Sequence, residues 1–178
     1  MLKAIGVREA SGAQAVPSSS SLGDWYANLL VISRKKVLLF TNGSTLYSFA
    51  VVGVRKKGLK KIAELFLEHL RLNLDHEGLP APIADRLIAE YQSMGLARTD
   101  NRSVLGSMND LSVQLECFIL DPRRAEGSDI LEINKDLNRT PHKPLRWKYS
   151  IELLRERLLG VFSLPPSVSP PAKNVFLN

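Results

Sequence analysis

Four consecutive apolar residues, Val37-Leu38-Leu39-Phe40, most restrict what this chain can become. Side chains on a strand alternate between faces, so a run apolar at every position needs cover on both sides of a sheet. The signals around it predict a β-meander. Trp25–Ser33 reads as the first strand, Arg34, Lys35 and Lys36 as the turn, and Val37–Thr41 as the central strand. Asn42-Gly43-Ser44 is a second turn signal, and Leu46–Val54 supplies a third apolar strand.

Much of the remaining apolar pattern has helical period. Leu59, Ile62, Ala63, Phe66 and Leu70 form the stripe of a helix over Leu59–Leu74. Pro82 starts another over Ile83–Met94, and Gly95 stops it. Asp100 or Asn101 caps a third, with Val104, Met108, Leu111, Leu115 and Phe118 as its stripe. Ser128 caps a short helix to Leu137, and Ser150 caps a last one over Ile151–Val161. The fold class is α+β: a small, mainly antiparallel sheet of three to four strands packed with about five helices.

A chain of 178 residues suits one domain. Residues 1–163 form its globular body, with the Ser- and Ala-rich stretch 1–23 loosely attached. Residues 164–178 form a Pro-rich tail, extended unless Val175-Phe176-Leu177 docks on the body.

Several function classes find no support. There is no P-loop, dinucleotide fingerprint, zinc spacing or nucleophile elbow, and the three histidines sit in no motif. The single Cys117 excludes an internal disulfide, suits a reducing cytosol, and reads as a packing residue. Glu64 and Glu68 share a helix face without a histidine beside them and read as solvated. Neither a cofactor nor a metal is expected. No apolar run reaches the roughly 20 residues of a membrane helix.

The charge pattern is informative. The net charge is +6, but between Arg34 and Lys61 there are eight basic residues and no acidic one. From Asp75 to Asn134 there are five basic and eleven acidic residues. In a meander the first and third strands run parallel and end on the same rim. Arg34, Lys35 and Lys36 then meet Arg55, Lys56 and Lys57 there, with Lys60 and Lys61 in the first turn of the following helix. Such a rim is a candidate anion site, for nucleic acid or a nucleotide-like ligand. It serves equally as a solvated rim that blocks edge pairing.

A second feature is the far side of the Asn101 helix. Arg102, Ser103, Gly106, Asn109 and Asp110 stand where helix-favouring Lys, Glu or Gln would be usual. With Asn28 they could form a hydrolase-like site, Asp110 as acid or base and Arg102 as anion clamp. They could also pack against a neighbouring loop or serve a protein–protein adaptor. A third feature is a basic patch of Arg139, His142, Lys143, Arg146 and Lys148 around Trp147 and Tyr149, a pattern that can stack and neutralise a nucleic-acid strand, although such rings more often pack inward with the charges in water.

The run Asn101-Arg102-Ser103-Val104-Leu105-Gly106-Ser107-Met108-Asn109-Asp110 also carries a resemblance. With Trp25-Tyr26-Ala27-Asn28-Leu29 upstream and Asn138-Arg139-Thr140-Pro141 downstream, it resembles a bacterial family known as domain of unknown function 6933. The resemblance spans about Trp25 to Leu159. It implies a cytoplasmic bacterial protein and brings no established activity, cofactor or catalytic residue.

Overall fold

The computed structural model describes residues 20–55, 58, 60–91, 94–98, 101–124, 129–162 and 173–177. It is an α+β fold. Strands β1 (Trp25–Ile32), β2 (Lys35–Asn42) and β3 (Ser48–Val52) form the expected antiparallel meander. Then come helices α1 (Ile62–His76) and α2 (Ala81–Glu90), strand β4 (Met94–Arg98), and helices α3 (Arg102–Leu120) and α4 (Ile130–Leu137). A 3-10 turn (Lys143–Leu145), helix α5 (Ser150–Phe162) and strand β5 (Lys173–Leu177) complete the order.

The sheet has five strands rather than three or four, in the order β3-β2-β1-β5-β4. Residues 173–177 of the tail lie between β1 and β4, parallel to both. Met94 and Gly95, which the local pattern assigns to a helix end and its stop, begin a strand, Met94–Arg98, instead. Its partner lies far along the chain, and local periodicity carries no sign of such pairing. Helix α2 accordingly ends at Glu90.

The doubly apolar strand behaves as its sequence demands. Leu38 and Phe40 join Trp25, Phe49, Phe66 and Leu70 in the larger core, under α1, α2 and α5. Val37 and Leu39 point the other way and meet Leu111, Leu115, Ile133 and Leu137 from α3 and α4. The larger core is aromatic, with Trp25 edge-on to Phe66 at 5.2 Å and Phe40 stacked on Phe49 at 5.1 Å. At the β2–β3 turn a side chain on Gly43 would come within 2.8 Å of the Tyr26 ring, so only glycine fits.

Edge strand β3 is sealed by a helix. Helix α4 runs antiparallel along it and presents Asn134 and Asn138, one turn apart, to the outward main-chain groups of Ala50 and Ser48. Asn138 Oδ1 accepts from the Ser48 amide at 2.8 Å and its Nδ2 donates to the Ser48 carbonyl at 2.7 Å. A side-chain amide thus replaces a missing strand and blocks edge-to-edge pairing.

Some expected details move. Asn101 caps α3, accepting from the Val104 amide at 3.2 Å. Asp129 caps α4, whereas Ser128 lies outside the described residues. Ser150 is the first residue of α5, and its Oγ donates to Asn138 Oδ1 at 2.8 Å. Cys117 is exposed, not packed, because it sits past the edge of the apolar stripe.

Candidate functional site

The basic rim is built by the meander. Ile32 pairs with Lys35, so the turn is only Ser33-Arg34, and Lys35 and Lys36 belong to β2 rather than to the turn. Both turn residues have positive φ, 47° and 63°, the twist a two-residue hairpin needs. Without glycine that conformation costs about 1–2 kcal/mol per residue. On the other side, the Lys36 carbonyl accepts from both the Gly53 and Val54 amides, at 2.9 and 3.1 Å. This bulge, with Gly53 at φ 77°, carries the pairing past β3 and brings Arg55 to the rim where Lys35 lies.

Arg34, Lys35 and Arg55 are exposed and Lys36 is half-buried, and among the described residues none of the four has a carboxylate within 4.0 Å. Lys61 is committed to Glu64 at 2.7 Å. Lys56 and Lys57 lie outside the described residues. Beside the rim is an open cavity of about 400 Å³, lined by Val52, Gly53, Arg55, Leu65, His69 and Ile130 among others. Burial pushes the His69 imidazole below its usual pKa, with Glu68 opposing, and Arg55 is the permanent charge among the described lining residues.

The α3 polar face is not assembled into a site. Arg102, Ser103, Gly106, Asn109 and Asp110 are all exposed. Among the described residues Arg102 and Asp110 form no ion pair, and a side chain on Gly106 would meet nothing within 4 Å. Asn28 is 1% exposed. Alternation along β1 puts it on the face of Tyr26, which packs on Val104 and Met108, so the helix separates it from Arg102 and Asp110. Its Oδ1 has no partner among the described residues.

The motif Asn138-Arg139-Thr140-Pro141 proves architectural. Asn138 seals β3, Arg139 binds Glu77, Thr140 Oγ1 accepts from Gln114, and Pro141 bridges to Tyr149. It launches a tight loop closed by main-chain bonds from Trp147 N to His142 O and from Arg146 N to Lys143 O, both 3.0 Å. Arg146 and Trp147 both take positive φ, 54° and 67°. Contrary to the usual inward packing of such rings, Trp147 is 67% and Tyr149 40% exposed. Because α4 runs antiparallel to β3, this loop leaves at the rim opposite the basic one. The two patches are thus separated by the length of β3, about 17 Å for such a strand.

Among the described residues no group of three or more His, Cys, Asp and Glu side chains could hold a metal ion. No helix among them is long and apolar enough to cross a membrane.

The sequence model of one family, described as domain of unknown function (DUF6933), matches residues 1–153, and the chain belongs to that family. The match reaches further toward the N-terminus than the motifs quoted above. No curated protein matches the chain.

Proposed function

We propose that this member of a family of unknown function is a binding module for an anionic partner, nucleic acid or a nucleotide-like ligand, engaged through the basic rim. What supports the reading is that the backbone pairing brings Arg34, Lys35, Lys36 and Arg55, from two separate runs, to one end of the sheet, with no carboxylate within 4.0 Å of them among the described residues. Several cations elsewhere are paired: Arg71 with Asp75, Arg124 with Asp136, Arg139 with Glu77 and Lys148 with Glu156. A rim left unpaired retains its full attraction for phosphate. The adjoining cavity, with Val52, Leu65 and Ile130 in its wall, suits an anion that also carries an apolar group, as a nucleotide does.

We also propose a bacterial cytoplasmic setting, which the family resemblance implies and the single Cys117 suits. The test is salt-dependent binding of short oligonucleotides by the wild type and by an Arg34/Lys35/Lys36/Arg55→Ala variant.

A further inference from the structure

We propose that the 142–149 loop is a stacking platform for single-stranded nucleic acid. One base lies against the Trp147 indole, and the adjoining phosphates meet Arg146 and Lys143. The inference rests on the preceding reading for the class of ligand but not for the site, which is at the opposite rim.

Three observations carry it. The indole is largely exposed, on a loop whose fold is fixed by several main-chain hydrogen bonds, so a ligand meets it already in place. Arg146 and Trp147 are both held in the left-handed region, which neither residue favours, and strain of this kind marks a presented side chain. Lys148 is neutralised by Glu156 at 3.3 Å, whereas Lys143 and Arg146, on the same loop as Trp147, are exposed and have no ion pair among the described residues. An exposed aromatic face on a loop that also carries unpaired cations matches a stacked base and its phosphates. The loop also carries Pro144, Leu145 and the exposed Tyr149, so a bilayer surface is the competing occupant that the test separates.

The chain has two tryptophans, and Trp25 is fully buried, so a ligand-induced change in emission reports Trp147. The full-length protein is titrated with oligothymidylate at low salt, and binding is also followed by anisotropy. Saturable quenching is expected. Trp147→Ala should weaken binding roughly 5- to 150-fold, with Trp147→Phe recovering part of the loss. The Arg34/Lys35/Lys36/Arg55→Ala variant should keep the quench. Unchanged emission, or anisotropy identical for Trp147→Ala, overturns the inference even if the rim variant loses binding. A blue shift with phosphatidylglycerol vesicles and none with the oligonucleotide overturns it in favour of a membrane surface. If the rim variant binds as the wild type does and Trp147→Ala does not, the rim reading fails and the loop stands.

Discussion

Asn134 holds both main-chain polar groups of Ala50: its Oδ1 accepts the Ala50 amide at 2.8 Å and its Nδ2 donates to the Ala50 carbonyl at 3.2 Å. The same Nδ2 donates to Asn73 Oδ1 at 2.9 Å, tying α1 to α4 across the edge of the sheet. Removing the amide leaves three buried polar atoms without this partner. Asn134→Ala is therefore expected to cost about 2–4 kcal/mol, read from urea unfolding. The bared edge should also show concentration-dependent association in sedimentation. A loss under about 0.5 kcal/mol would mean that water replaces the side chain without penalty.

Glu77 and Arg139 form the most enclosed ion pair among the described residues. Their contacts are 2.9 and 2.6 Å, and the Glu77 side chain is 2% exposed. The carboxylate holds the guanidinium above its usual pKa, and Tyr47, buried beside them, is pushed well above its ordinary value chiefly by burial and then by the Glu77 charge. Arg139→Met should destabilise by roughly 2–4 kcal/mol, because it strands a buried carboxylate. Adding Glu77→Leu should recover most of the loss. A double variant as unstable as the sum of the singles would show that the two residues do not act as a pair.

Stability should depend on pH through two half-buried histidines. Burial lowers the imidazole pKa of His69, against Glu68, and of His142, against Asp110. The unfolded chain therefore takes up protons at these residues at higher pH than the folded chain does. Below about 6.5 and down to the lowered folded values, stability rises with pH, and these residues contribute no slope above that window. Urea midpoints between pH 5 and 7 should trace this rise, and His69→Gln with His142→Gln should flatten it. A midpoint that climbs on acidification would reverse the sign and contradict the account.

The Ser33-Arg34 turn separates fold from function. Ser33→Asn with Arg34→Gly matches the positive φ of both positions and should stabilise by about 1–2 kcal/mol in thermal or urea unfolding. The same change removes a rim cation and should weaken oligonucleotide binding. Stabilisation without any loss of binding would take Arg34 out of the interface.

These residues also show what the chain discloses locally. The Val37–Phe40 run and its flanking turns are enough to define the meander, because it follows from alternation and strand direction. The α3 stripe was equally legible. The role of Met94–Arg98 was not, because its pairing partner is Lys173–Leu177 and pairing between distant segments leaves no local period. Asn134 and Asn138 stand one helical turn apart on α4, which hints at a shared partner, but nothing in that spacing points to β3. The exposure of Trp147 depends on two left-handed residues, Arg146 and Trp147, that no turn signature of glycine or asparagine announces. The polar face of α3 looked like a site because its residues share one surface, but the sheet residue meant to complete it, Asn28, alternates to the helix's buried side.

The rim is tested most directly by fluorescence anisotropy with labelled single- and double-stranded DNA and RNA over a salt series, comparing wild type with Arg34/Lys35/Lys36/Arg55→Ala. Micromolar or tighter binding is expected at low salt, falling steeply as salt rises. In the variant, binding should be weaker and the log–log slope shallower by about 3 for single strands and about 3.6 for duplex DNA, the counterions four phosphate contacts release. No binding at low salt, or the same affinity and slope in the variant, would contradict it.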